Sequence, residues 1–318
     1  MKRNEEHINN RRRRKMTESE RLQKLQRPQG KIDVVIDTDT YNEVDDQYAL
    51  AYLIKSDDKL NLKAVYAAPF FNSNSAGPKD GMERSYQEIM NVLELMDRED
   101  LKQLVHKGAD RYLPDEKQPV ESPAARNLVE LAMERDKDHP LYVVAIAAIT
   151  NVASAILMEP AIIDRIVVVW LGGHSFEWPD TREFNMYQDV AAARIVFGCG
   201  VPLVQLPCMG VVSEFATTGP ELNYWLKGKN KLCDYLVSVT EREGEATGQS
   251  RCWSRIIWDV TAVGWLLDDR FMYDRLEHSP IPEYDDCYAF NKTRHFIKYV
   301  FWINRDLLFE DLFKKLSS

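Results

Sequence analysis

The 318-residue chain is short of cysteine, of long apolar runs and, beyond its first 30 residues, of positive charge. Each scarcity excludes something. The five cysteines, Cys199, Cys208, Cys233, Cys252 and Cys287, are scattered and odd in number, with no CxxC pair. They support neither a disulfide framework nor a thiolate zinc site, and a reducing cytoplasm fits that usage. The longest apolar stretches, such as Ile166–Gly173, fall far short of the roughly 20 residues that cross a bilayer. No apolar segment of the signal-peptide kind follows the basic start, so no membrane partner is expected.

The net charge of −9 comes from 41 Lys+Arg against 50 Asp+Glu. Residues 1–30 hold ten Lys/Arg and four Asp/Glu, which leaves −15 on the remainder. An acidic body lacks the basic surface that a phosphate backbone requires, so nucleic acid is not an expected partner. It does permit a site built from carboxylates. Residues 1–15, ending in Arg11–Lys15, read as a basic, disordered arm. Residues 16–318 read as one domain, since no repeat or low-complexity linker divides them. With 45% hydrophobic residues, a large core is available.

Thr17 and Glu20 fit a capping box for a short helix to about Gln26, and Pro28 and Gly30 then break the chain. From Lys31, strands and helices alternate. Ile32–Ile36, Leu62–Ala68, Leu101–His106, Leu141–Ile146, Arg165–Leu171 and Pro202–Leu206 read as strands. Gln47–Lys55, Met82–Met96, Ala124–Glu134, Asn151–Met158 and Val190–Phe197 read as helices. The order predicts an α/β fold: an open, mostly parallel sheet with helices on both faces, followed by a mainly helical part after Pro220. Ligands of such sheets sit outside the carboxyl ends of the strands.

The first strand runs into Asp37, Asp39, Glu43, Asp45 and Asp46, five acids in ten residues. Carboxylates crowded at a buried strand end repel one another unless a positive partner intervenes. Oxygen-only ligands suit Ca²⁺, with six to eight oxygens, better than Mg²⁺. The plain alternative is a solvated loop whose acids favour a helix N-terminus.

Two families begin this way. Val34–Thr40 resembles the Asp-x-Asp-x-Thr motif of the haloacid-dehalogenase phosphatases, which leaves an aspartyl phosphatase as a third reading. That resemblance ends there, because the strand Ile166–Leu171 is followed by Gly172-Gly173-His174 without acids. The second resemblance continues along the chain. Asp37-x-Asp39 with Asp45-Asp46, Val144–Asn151, Leu171-Gly172-Gly173, Glu183-Phe184-Asn185, Asp189-x-Ala191-Ala192 and Ile257–Ala262 resemble, in order, the motifs of the nucleoside hydrolase (inosine-uridine preferring N-ribohydrolase) superfamily. Together they span roughly residues 31–270.

The resemblance implies a Rossmann-like fold and Ca²⁺-dependent hydrolysis of the N-glycosidic bond of a ribonucleoside or related riboside. It places the ion on Asp39, Asp46, Asp259 and the Thr150 carbonyl, with Asp39 also the base that takes a proton from water. Asp45, Glu183, Asn185 and Asn72 (or Asn74) would hold the ribose, and Asp37 would orient the loop. It further implies a homodimer or homotetramer serving nucleoside salvage. Departures from the pattern are specific. The first loop has five residues, Thr40–Val44, where the family has three, and Ala147-Ala148 replaces Gly-Pro. Trp258 stands where many members have a His that protonates the leaving base. Tryptophan supplies no such proton, but it can stack on a base. His174, at a strand end, is the replacement acid by location. Simpler roles remain for each: Asp45 as a helix cap, Asp259 paired to Arg255, Asn185 in a turn, Trp258 in a core with Trp265, and His174 as a structural side chain. If leaving-group activation is lost, the chain would be a ribose- or nucleoside-binding protein.

Overall fold

The computed structural model describes residues 16–247 and 252–318. The basic arm expected at residues 1–15 lies outside the described residues. The strands are β1 (Ile32–Thr38), β2 (Leu60–Ala67), β3 (Val105–Lys107), β4 (Leu141–Ala145), β5 (Ile166–Leu171), β6 (Leu203–Leu206), β7 (Ala216–Thr217), β8 (Arg255–Ile256), β9 (Met272–His278), β10 (Ile281–Pro282), β11 (Tyr288–Ala289) and β12 (Phe296–Ile303). The helices are α1 (Glu18–Lys24), α2 (Asp45–Ile54), α3 (Pro78–Leu95), α4 (Pro123–Met133), α5 (Thr150–Met158), α6 (Phe184–Gln188), α7 (Val190–Gly198), α8 (Gly219–Trp225), α9 (Lys231–Thr247), α10 (Val260–Leu267) and α11 (Arg305–Ser317).

Eight strands form one sheet in the order β3-β2-β1-β4-β5-β6-β12-β9. All pairings in it are parallel except β12 with β9. Continuous apolar strands bury both faces. Val34 and Ile36 of β1 face a core with α2, α3, α10 and α11, while Val35 faces a second core with α4, α5 and α7. β5 divides likewise, with Val167 and Val169 on one side and Val168 and Trp170 on the other. Each such side chain contributes about 1.5–3 kcal/mol on burial.

Chain order reverses around β1: β2 and β3 lie to one side, β4, β5 and β6 to the other. The crevice outside the carboxyl ends of β1 and β4 is therefore the topological switch point, where open α/β sheets bind ligands. The expected α/β architecture is thus present. The capping box at Thr17 forms as expected, with the Thr17 N–H donating to Glu20 at 2.7 Å.

Two local readings need correction. Leu101–His106 is not one strand: Glu99–Leu104 is a 3-10 turn, and only Val105–Lys107 pairs with β2. The apolar residues Leu101 and Leu104 are three apart, a helical spacing rather than a strand one. The part after Pro220 contains the expected helices, α9, α10 and α11 among them, but it also adds β9 and β12 to the main sheet. β9 is an edge strand rich in charge (Asp274, Arg275, Glu277), which hides it from a hydrophobic-run criterion. Among the described residues, no helix is long and apolar enough to cross a membrane.

Candidate functional site

The loop after β1 carries the acids, and α2 begins immediately with Asp45 and Asp46 in its first turn. Val44 precedes the helix and makes no side-chain cap, so the two carboxylates meet unsatisfied helix N–H groups favourably. The turn itself is closed by the Asn42 N–H donating to the Asp39 carbonyl at 2.7 Å. Asp259, more than 200 residues away, arrives just before α10. Carboxylate oxygens of Asp45, Asp46 and Asp259 lie within 4.8 Å of one another, and all three residues are buried. Ligands on opposite sides of one Ca²⁺, each about 2.4 Å from it, are separated by about that distance.

Asp39 lies beside this group, and among the described residues neither of its buried oxygens has a hydrogen-bond partner. Asp46 Oδ1 accepts from the Asp39 N–H at 3.1 Å and from the Thr38 hydroxyl. Asp46 also shares a hydrogen bond with Asp259, which requires a proton between the two carboxyls. Burial, then mutual repulsion, holds Asp39 and Asp259 well above the usual carboxylate range. Asp45 is raised by burial and by Glu43, and Asp46 is pushed up to about 7, chiefly by burial. Buried anions without counter-charge neutralise by binding a proton or a cation. The two orphaned oxygens of Asp39 and the all-oxygen donor set fit a hard divalent cation.

Above the carboxylates opens a cavity of about 220 Å³. Of the residues expected from sequence, Asp45, His174, Glu183, Asn185, Trp258 and Asp259 line it. Asn42, Arg182, Phe184, Cys208 and Met209 complete much of the wall. Two larger cavities, about 480 and 490 Å³, lie at the opposite end of the sheet around Met16, Lys137 and Asp164, away from the carboxylates.

His174 follows β5 through Gly172-Gly173. Gly173 has φ +75°, and a Cβ there would come within 2.1 Å of the Tyr288 hydroxyl, so only glycine fits. His174 Nδ1 accepts from the Met209 N–H at 3.2 Å, which leaves the proton of the neutral ring on Nε2. Burial lowers its pKa, with Asp180 opposing. Trp258 is half-buried and sits in the turn before α10, not inside that helix. Trp265, its expected core companion, is wholly buried and donates to Asp274 at 3.0 Å. Trp178 is tilted against His174, ring centroids 5.8 Å apart.

Glu183 caps α6. Its carboxylate accepts from the N–H groups of Gly173 (2.8 Å), Asn185 (2.8 Å) and Met186 (2.9 Å). Burial nevertheless pushes it up to about 7. Asn185 donates its amide N–H to the Leu171 carbonyl at 3.0 Å, and its amide oxygen is left to accept. The resemblance gave both a ribose-binding role; the structure also makes them the brace of the β5 turn.

Thr150 is the buried first residue of α5, its hydroxyl donating to Asp189 at 2.7 Å. Asp189 also accepts from the Leu113 N–H at 3.0 Å and caps α7. Asp37 accepts from Asn151 Nδ2 at 2.8 Å, beneath the loop. Asn72 lies outside the cavity wall; its amide donates to Asn42 Oδ1 at 2.5 Å, while Asn74 donates to the Asn42 carbonyl at 2.9 Å. Arg255 does not pair with Asp259. It pairs with Glu43 and with Glu243, the latter at 2.9 Å. Its spacing to Asp259 suggested a helix pair, but β8 is extended there.

The family profile described as inosine-uridine preferring nucleoside hydrolase matches residues 34–296. A pyrimidine-specific ribonucleoside hydrolase of Enterobacter sp. (strain 638) is 29% identical over 196 residues, 54% of this chain and 58% of that protein. The chain spans about a third to just over half the length of the curated relatives it matches. Among solved structures, a plant nucleoside hydrolase superposes with a TM-score of 0.74 at 18% identity, covering 90% of this chain and 99% of the other. A purine-preferring ribonucleoside hydrolase from Gardnerella vaginalis gives 0.72 at 19% identity, covering 90% and 98%. These structural likenesses concern the fold. The profile covers most of the chain, including both segments that bring the buried carboxylates together, and the chain belongs to the inosine-uridine preferring nucleoside hydrolase family.

Proposed function

We propose that this protein hydrolyses the N-glycosidic bond of a ribonucleoside or closely related riboside in a Ca²⁺-dependent reaction. The single observation that carries this reading is the buried group of Asp45, Asp46 and Asp259 beside the unpartnered carboxylate of Asp39. Asp39, Asp46 and Asp259, with the Thr150 carbonyl, would hold the ion, and Asp45 stands close enough to join them. A bound divalent cation supplies anchorage for ribose hydroxyls and acidifies water.

The chain's own groups do the rest. Asp39 takes the proton of the attacking water, since its oxygens have no competing donor. Asp45 and the Asn185 amide oxygen orient the sugar at the cavity wall. The carboxylates stabilise positive charge developing on the ribose ring as the bond to the base lengthens. Trp258 offers the base an aromatic face. The expected experiment outcome is release of free base and ribose in Ca²⁺, lost on chelation and restored by Ca²⁺. Tight Ca²⁺ binding without turnover of any purine or pyrimidine ribonucleoside would overturn hydrolysis and leave binding.

His174 bears on that choice. An imidazolium would set an N–H against the Met209 N–H, so the ring is held neutral and donates from Nε2. We expect His174→Ala to lower kcat by about 10²-fold and His174→Gln, which keeps a terminal donor, by about tenfold or less. A true imidazolium acid would show kcat falling as pH rises through its lowered pKa; a neutral donor shows none of that fall. The same neutrality is the observation favouring the second reading, a nucleoside-binding protein with weak leaving-group activation. The aspartyl-phosphatase reading has no comparable support: a phosphate would face buried carboxylates, and among the described residues no lysine lines the cavity.

We also propose a homodimeric or homotetrameric assembly and a role in nucleoside salvage.

A further inference from the structure

The carboxylate group is assembled from two segments far apart in sequence, the loop running into α2 and the stretch before α10. α2 and α10 pack in one apolar core, but without a cation the carboxylates of Asp45, Asp46 and Asp259 above it crowd one another. The proton between Asp46 and Asp259 relieves this only in part, so a polar tie between the two segments favours their approach. Among the described residues, one ion pair joins them: Arg255 to Glu43. The Arg255 side chain is 16% exposed and also reaches Glu243 of α9 at 2.9 Å. Its backbone is fixed, since β8 pairs with β7 and the Ile257 N–H donates to the Phe215 carbonyl at 3.0 Å. The neighbouring Trp253 is seated between two glycines; a Cβ would come within 2.5 Å of its ring at Gly244 and 3.0 Å at Gly219. Arg255 does not line the cavity, so it has no contact with substrate there.

We propose that Arg255 is a positioning residue: through Glu43 it holds the two carboxylate-bearing segments in the cation-binding arrangement before any cation arrives. A mostly buried, doubly paired guanidinium is suited to this, because it fixes geometry as well as charge. A preorganised site spares the cation the cost of bringing like charges together. Burial opposes the guanidinium charge, but Glu43, Asp45 and Glu243 outweigh it and keep Arg255 charged. The inference rests on the cation reading above.

The test compares wild type, R255M, R255K and E43Q. Amide hydrogen exchange of residues 40–46 is followed in chelator, and Ca²⁺ is titrated by calorimetry. R255M and E43Q should raise exchange at residues 40–46 at least tenfold, with R255K, which keeps the charge but not the two-partner geometry, between them and wild type. Both should weaken Ca²⁺ binding tenfold or more. For R255M, charge alone dictates the opposite, tighter binding after loss of a nearby cation. Unchanged protection, or tighter Ca²⁺ binding by R255M, overturns the proposal. If R255M does not fold, E43Q and R255K decide it. If the wild type binds no Ca²⁺, the cation reading fails, and the exchange data alone decide the role of Arg255.

Discussion

Asp39→Asn should lower kcat for ribonucleoside hydrolysis by at least about 10³-fold at saturating Ca²⁺, the range lost when a general base that also stabilises charge is removed. Asp39 is buried, and neither oxygen has a hydrogen-bond partner. Among the described residues no group bonds this carboxylate, so the variant should fold normally. An amide keeps shape and volume but accepts no proton. It also removes one ligand charge, so Ca²⁺ affinity should weaken about tenfold. Raising Ca²⁺ should then restore occupancy without restoring kcat. That split separates proton abstraction from metal holding: if kcat returns to the wild-type value at high Ca²⁺, Asp39 is a ligand only. In chelator the variant should be more thermostable than the wild type, because a charge is gone from a crowded buried group.

The second large effect concerns pH. Asp37, Asp46 and Glu183 are each raised to about 7, mainly by burial. In the unfolded chain such groups release their protons near pH 4. The folded form therefore holds protons that the unfolded form has lost, and this stabilisation is complete below about pH 4 and disappears as pH rises through 7. In chelator, Tm should fall steadily between pH 5 and pH 8. Ca²⁺ replaces the protons at Asp46 and its neighbours, so it should raise Tm most at pH 8 and least at pH 5. A concentration 100- to 1,000-fold above Kd stabilises by about 2.7–4.1 kcal/mol, roughly 4–6 °C for a chain of this size. A Tm in chelator that is flat across this range, or a Ca²⁺ shift as large at pH 5 as at pH 8, would contradict the account.

Much of this site was legible in the sequence because its signals are local. β-branched runs such as Ile166–Val169 mark strands buried on both faces, and the alternation with helices fixes a parallel sheet. Asp37 to Asp46 follow the first of those strands directly, so their place at its carboxyl end needs no tertiary knowledge. The neutral state of His174 was not legible, because it depends on the Met209 N–H 35 residues away. Nor was the partner of Arg255: a spacing of four from Asp259 suggested a helix pair, while the fold delivered Glu43 from 212 positions earlier. Asn72 was given a ribose-binding place, yet its amide is spent on Asn42.

By itself the sequence determined the α/β architecture, the acidic loop at the end of β1 and the family resemblance, since each is written in neighbouring residues and their order. The meeting of Asp46 with Asp259 was implied by the resemblance, but only the tertiary structure decided that Asp45 joins them and that Glu183 braces the β5 turn. It also showed that Arg255 ties the acidic loop to the segment before α10. These are contacts between segments, and their energies depend on distances and burial that the order of residues along the chain does not contain.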